Sequence, residues 1–331
     1  MRRISLIGAG FIGTVHAGNL ASHPGVDFVS VYDPDRSRAG AVASRFGASL
    51  AGCVDEALHG VDAVYIASST DTHAELLRAA VDAGVAVLIE KPIDLDLARA
   101  SGAAAHARGR GVPVMVNFNR RFDRDHAELR RRCQRGDIGA VELLSLSSRG
   151  PEVPPLSYIE VSGGQFRDQA VHFYDLARWI TGEDPVSVTA VGSALVSPEL
   201  ARYGDVDTSV SLLRLPSGGL VQVDCMRRSG HGYDERIEAV GSLGLVESGR
   251  MPTGNVRLYR GGEQVMDGLH PGWFERVRPT YAEALDHFVR ALEGEHPMTP
   301  GLDDGLKAQA IAEAATASLR SGRTEPVRYP G

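Results

Sequence analysis

The sequence predicts an α/β chain of two unlike units: a parallel sheet flanked by helices, then an α+β unit on a mostly antiparallel sheet. Three observations carry this. Over the first 120 residues short apolar runs alternate with helix-forming stretches, the rhythm of βα units around a parallel sheet. Later runs are rich in valine or leucine and bounded by glycine or proline, as hairpins are. The length of 331 residues exceeds what one core usually organises. The units are drawn as 1–120 and 121–331.

Residues 3–7 read as a buried strand, 12–21 as a helix, 26–32 as a second strand, and 34–46 as a stretch of helix formers. Residues 63–67 form a further apolar strand ending in Ser68-Ser69-Thr70-Asp71, which can cap the helix through Glu75, Leu76 and Leu77. Strand 85–89, helix 95–107 and strand 112–118 complete the alternation. In the second half, strands are predicted at 140–147, 187–196, 209–215, 219–226, 236–241 and 255–259. Pro216-Ser217-Gly218-Gly219 has the composition of a hairpin turn. Helices are predicted at 123–135, 168–180, 280–293 and 305–321, covering one face of the sheet.

A net charge of −7 with 23% charged residues argues against a nucleic-acid binder, although Arg120, Arg121, Arg124 and Arg130–Arg132 concentrate some positive charge. Three scattered cysteines suit neither a disulfide framework nor a structural zinc site, which predicts reduced thiols, a cytoplasmic location and no metal. No apolar run approaches bilayer length, and the N-terminus lacks a signal-peptide pattern.

Gly8-Ala9-Gly10-Phe11-Ile12-Gly13 is a GxGxxG sequence after a strand and at a helix start, with Asp33 at the end of the next strand. Its glycines permit a tight turn, close approach to a pyrophosphate and close helix–strand packing, and the helix N-terminus offers amides to the anion. The first unit is thus predicted to be a Rossmann domain. Asp33 would accept hydrogen bonds from the adenosine ribose hydroxyls, favouring NAD over NADP; Arg36 and Arg38 are the residues that could turn toward a 2′-phosphate.

Only two of the 35 basic residues are lysine, and one is Lys91 in Glu90-Lys91-Pro92. An ammonium is a compact charge whose pKa shifts readily on desolvation, which suits a redox site beside a nicotinamide. Gly163-Gly164 leads into Asp168 and His172, neighbours on one face if the segment is α-helical. Histidine exchanges a proton near neutrality, and aspartate can orient its ring or bind a hydroxyl. Capping by Asp168 and a buried hydrogen bond for His172 would explain the same pair without chemistry. Asp175 lies on another part of the turn and can cap or pair locally.

With Gly8–Gly13, Glu90-Lys91-Pro92, residues 117–122 (Asn-Phe-Asn-Arg-Arg-Phe), Gly163-Gly164 with Asp168 and His172, residues 232–238 and residues 304–308, the whole chain resembles the glucose–fructose oxidoreductase and inositol dehydrogenase family, above all its bacterial inositol dehydrogenase branch. The resemblance implies NAD-linked oxidation of a ring hydroxyl, an active site between the two domains, and assembly as a homotetramer or homodimer through the second domain's sheet. It makes Lys91, Asp168 and His172 the catalytic group, with Pro92 shaping the turn under Lys91. Gly8, Gly10, Phe11, Ile12, Gly13, Asp33, Arg38, Ser68, Thr70, Glu90 and Lys91 become the cofactor set. Asn119, Arg120 and Tyr233 join the substrate pocket, or serve as interdomain hydrogen bonders. Phe173 after the histidine, where many relatives carry aspartate, and Gln165 in place of an apolar residue depart from the pattern. They leave open which cyclic polyol, sugar or aminocyclitol is the substrate. A sugar-sensing protein without catalysis is the alternative of a different class. A small hydroxy acid would need a carboxylate clamp, for which Arg120 or Arg167 would serve.

Overall fold

Apolar runs pair side by side to form the first sheet in the computed structural model, which describes residues 1–331. The strands are β1 (Arg2–Ile7), β2 (Val26–Tyr32), β3 (Ser49–Leu50), β4 (Ala63–Ile66), β5 (Ala86–Glu90) and β6 (Val114–Asn117). Their order is β3-β2-β1-β4-β5-β6, and every pair is parallel. Strands β4 and β5 are buried at every position, as expected where both faces are covered, so they read as continuous apolar runs. Helices α1 (Phe11–Ser22), α2 (Arg36–Phe46), α3 (Val54–Leu58), α4 (His73–Asp82) and α5 (Leu97–Arg110) connect them. Asp35 and Asp96 cap α2 and α5, and left-handed Gly47 and Gly111 close the same two helices. The cap expected at residues 68–71 does not form. A 3-10 turn, Thr70–Thr72, precedes α4, and Thr72 donates to the Ser69 carbonyl at 2.7 Å instead. Strand order reverses between β1 and β4, the place where open α/β sheets bind ligands at strand carboxyl ends.

The second unit opens with α6 (Arg124–Arg135), capped by Asp123. It continues through β7 (Val141–Arg149), α7 (Leu156–Ser162), α8 (Val171–Thr181), β8 (Ser187–Ser193), β9 (Thr208–Arg214), β10 (Leu220–Met226), β11 (Asp234–Gly241) and β12 (Gly244–Ser248). A separate hairpin, β13 (Arg257–Arg260) with β14 (Glu263–Met266), precedes α9 (Trp273–Leu292), α10 (Leu302–Ser321) and β15 (Glu325–Pro326). The large sheet runs β12-β11-β7-β10-β9-β8-β15 and is antiparallel except where β10 lies parallel to β7. Leu144, Leu146, Val221, Val223 and Ile237 point to one face and pack with Phe173 and Tyr174 of α8 and with Ile311 and Ala315 of α10. Alternation sends Leu143, Leu212 and Leu220 to the other face, where they are exposed.

Several expectations require correction. The segment 255–259 belongs to the small hairpin, not the large sheet. Helix 280–293 begins at Trp273 and contains Pro279, which reads in sequence as a start because proline lacks an N–H to continue the ladder. The chain divides at Asn119/Arg120 but crosses back near its C-terminus. The first unit comprises Met1–Asn119, Thr280–Leu306 and Pro330; the second comprises Arg120–Pro279, Lys307–Tyr329 and Gly331. The return has a packing cause: Ala284, Leu285, Phe288 and Val289 on α9 are buried, Arg2 Nη2 donates to the Leu292 carbonyl at 2.9 Å, and Val116 N donates to the Pro300 carbonyl at 2.9 Å. No helix is long and apolar enough to cross a membrane.

Candidate active site

The glycine turn sits at the end of β1, and each glycine answers a different demand. Gly8 adopts φ +101°, and a Cβ there would lie 2.5 Å from the Ala67 carbonyl and Ser68 N. A Cβ on Gly13 would lie 2.1 Å from the Gly8 carbonyl oxygen. Around Gly10 there is open space, and as the α1 N-cap it makes no side-chain capping bond. Two glycines are thus required by packing, while the third leaves room above a helix N-terminus, which fits a dinucleotide pyrophosphate. Buried Asp33 is tied into the turn: Ala9 N donates to its Oδ2 at 2.8 Å and Asp35 N to its Oδ1 at 2.9 Å. Arg38 stands 3.9 Å from Asp33 Oδ2 and 3.4 Å from Asp35 Oδ2, so its guanidinium is held between two carboxylates.

Glu90 ends β5, and the Lys91–Pro92 bond that follows is cis. The Glu90 carboxylate lies in a buried network that sequence spacing gave no sign of. Its Oε1 is 2.7 Å from His16 Nε2, accepts from Asn117 Nδ2 at 2.7 Å and from Tyr65 OH at 3.4 Å. His16 also stacks on Tyr65 at 3.9 Å and meets Tyr281 edge-on at 5.3 Å. Burial pushes the Glu90 carboxyl upward, but His16, Asn117 and Lys91 together outweigh it and hold the group below its usual range. Burial, then the Glu90 charge, pushes the Tyr65 phenol well up. Ser68 Oγ is 2.7 Å from Thr72 Oγ1, and Asn119 Nδ2 donates to Thr280 Oγ1 at 2.7 Å.

In the second unit, Asp168 lies in a π-helical turn, Phe166–Ala170, that runs into α8 and His172. The expected regular α-helical spacing is therefore widened at Asp168; such turns recur at functional sites because they re-aim a side chain. Tyr158 OH donates to Asp168 Oδ1 at 2.9 Å. Asp175 pairs structurally, accepting from Arg121 Nε at 2.7 Å and Nη2 at 2.6 Å. Phe173 lies in the core, so the departure there concerns packing. Gln165 is fully buried, and its Nε2 donates to the Asp207 carbonyl at 2.9 Å.

Arg120 and Tyr233, far apart in sequence, meet in this unit. Arg120 Nη2 donates to Tyr233 OH at 3.3 Å, and Tyr233 OH donates to Glu235 Oε2 at 2.5 Å. Burial, followed by the Glu235 charge, pushes the Tyr233 phenol far up, so it remains a donor. His126 Nε2 stands 3.8 Å from Glu235 Oε1, and Arg276 Nη1 donates to Asp123 Oδ2 at 2.5 Å. Glu235 organises this cluster, and its only sequence signal was its place in residues 232–238. Arg167 is held by Glu313 through Nε at 2.7 Å and Nη2 at 2.5 Å, which removes it as a carboxylate clamp.

Comparisons with known proteins cover both units. Residues 2–118 match the oxidoreductase family with an NAD-binding Rossmann fold, and residues 126–247 match the GFO/IDH/MocA C-terminal domain. The chain is 37% identical to the inositol 2-dehydrogenase of Rhizobium meliloti (strain 1021), over 97% of this chain and 98% of that protein. It is 38% identical to the myo-inositol 2-dehydrogenase of Thermotoga maritima, over 97% of each. The crystal structure of a myo-inositol dehydrogenase from Corynebacterium glutamicum superposes with a TM-score of 0.93 at 34% identity, covering 100% of both chains. That of GenD2 from gentamicin A biosynthesis, in complex with NAD, superposes with a TM-score of 0.85 at 28% identity, covering 99% of this chain and 96% of that one. The glycine cradle, the tethered Asp33 and the match along both units together place the chain in the GFO/IDH/MocA family of oxidoreductases, with an NAD-binding Rossmann domain at its N-terminus.

Proposed function

We propose that this chain catalyses NAD-dependent oxidation of a secondary hydroxyl of a cyclic polyol, taking myo-inositol to its 2-keto product. The observation that carries the reading is its full-length likeness to two inositol 2-dehydrogenases. NAD, when bound, supplies the hydride acceptor at nicotinamide C4. The chain's own residues do the rest. His172 takes the hydroxyl proton, Lys91 stabilises negative charge growing on the oxygen, and Asp168 orients His172 or an adjacent hydroxyl. In reduction, protonated His172 returns the proton. A positioned acid–base group of this kind contributes about 10²–10⁴ in rate. Gly8, Gly10, Phe11, Ile12 and Gly13 seat the pyrophosphate, and Asp33 receives the ribose hydroxyls. Arg38, Ser68, Thr70 and Glu90 border the cofactor, and Asn119, Arg120 and Tyr233 bind the polyol.

The test is NADH formation with myo-inositol, scyllo-inositol, D-chiro-inositol, glucose and simple hydroxy acids, with products identified by NMR. Turnover of an inositol to a ketone is expected; activity confined to pyranoses or hydroxy acids would remove the assignment. A second reading, oxidation of another sugar or an aminocyclitol intermediate, draws on the likeness to GenD2 of gentamicin A biosynthesis. The exposed Leu143, Leu212 and Leu220 suit assembly into a homodimer or homotetramer through the large sheet. Free Cys53, Cys133 and Cys225 fit the reducing conditions of a cytoplasmic location.

A further inference from the structure

His73, at the start of α4, is 1% exposed, and the reaction outlined above makes no use of it. Its imidazole bridges two backbone segments that end neighbouring strands. Nδ1 lies 2.8 Å from the carbonyl oxygen of Pro92, and Nε2 lies 3.1 Å from that of Ser68. Both partners are acceptors, so only a doubly protonated ring could donate to each. Burial lowers the ring's pKa, against the raising effects of the two carbonyls, Glu90 and Asp94. A neutral ring has one N–H to give, and the shorter contact assigns it to Nδ1.

We infer that His73 is a positioning residue whose Nδ1–H holds the Pro92 carbonyl and thereby fixes the turn that presents Lys91. The inference rests on the proposed role of Lys91. The turn follows β5 directly, and Pro92 offers no N–H of its own through which the backbone could be tied at that point. The Pro92 carbonyl is therefore a natural handle on the lysine's position. An error of about 1 Å in the placement of a catalytic group can cost on the order of 10² in rate, so loss of this tether should appear in kcat.

The experiment compares His73→Ala, His73→Asn and His73→Gln in the full chain. It measures kcat and KM with myo-inositol, NAD affinity by calorimetry, and folding by circular dichroism. The Asn side-chain amide places its N–H where Nδ1–H stands, whereas that of Gln places it where Nε2–H would stand. His73→Ala should lose about 10–100-fold in kcat with NAD affinity changed less than about threefold. His73→Asn should recover most of the loss, and His73→Gln should not. Equal recovery by Gln, a kcat for His73→Ala within about twofold of wild type, or unfolding of both Ala and Asn variants would overturn the inference. Lys91→Ala separates the two claims. If it is inactive while His73→Ala is active, only the His73 role falls; if it turns over normally, the Lys91 assignment falls and this role with it. Imidazole ¹⁵N shifts of the wild-type protein test the tautomer whatever the substrate proves to be. A protonated Nδ1 is expected, and a protonated Nε2 would refute the assignment.

Discussion

Asp33 has two duties that substitution can separate. It holds the glycine turn through the Ala9 and Asp35 amides, and it is the proposed acceptor for the ribose hydroxyls. Asp33→Ser should narrow the preference for NAD over NADP, read as the ratio of kcat/KM values; an unchanged ratio would remove Asp33 from cofactor choice. For the proposed catalytic group, Lys91→Ala, Asp168→Ala and His172→Ala should each lose about 10²-fold or more in turnover while NAD binding remains measurable by calorimetry. A folded His172→Ala with near-normal kcat would show that another group moves the proton. The catalytic roles of Lys91, Asp168 and His172 are proposals drawn from the motifs around them. The glycine turn and Asp33 were legible in the sequence, because a GxGxxG run between a strand and a helix, with an acidic residue ending the next strand, has a chemical reason for its spacing. His16, Tyr65 and Asn117 were not. They converge on Glu90 from α1, β4 and β6, and no local pattern marks residues that meet only when a sheet forms.

At the scale of elements, the β1–α1 turn separates packing from binding. Gly13→Ala forces a Cβ against the Gly8 carbonyl and should cost roughly 3 kcal/mol, the upper end of overpacking, read as a lower urea midpoint. Gly10→Ala meets no neighbour and should leave that midpoint nearly unchanged while weakening NAD binding. A second element-scale test concerns Asp123, which caps α6 and pairs with Arg276. Burial would raise its carboxyl, but His126 and Arg276 overcome this and lower it from 3.8 to about 2. Because the folded value is depressed, the stabilisation is present above the unfolded pKa and is lost as pH falls from about 4 toward 2. Its full size is on the order of 2 kcal/mol. Asp123→Asn should flatten the acid limb of a stability–pH curve over that window; an unchanged limb would show that the pair contributes nothing there. The βα alternation was legible because short, nearly continuous apolar runs give way to longer helix-forming stretches from one element to the next. Strands β12 and β15 were not, since β12 follows β11 after two residues and β15 has only two residues. The π turn at Asp168 has no compositional mark at all.

For the whole molecule, the proposed assembly predicts that Leu212→Asp, on the exposed face of the large sheet, lowers the mass found by light scattering without unfolding the chain. A wild-type protein that is monomeric at micromolar concentration would refute the assembly. The two-unit plan was legible because the sequence changes rhythm near residue 120. The chain's later return was not, because the reason for it is burial of one face of α9, and an amphipathic helix does not state which sheet it will cover. That return also bears on how the protein is made. Neither unit is a continuous stretch of message, since Thr280–Leu306 belongs with the first and Lys307–Tyr329 with the second. A ribosome adding about 5–20 residues per second therefore releases the Rossmann strands well before the helix that completes their unit. The nascent N-terminal sheet must wait on the order of ten seconds or more with part of its apolar surface uncovered, a window in which a chaperone can bind and in which a truncated message would leave an unfinished domain.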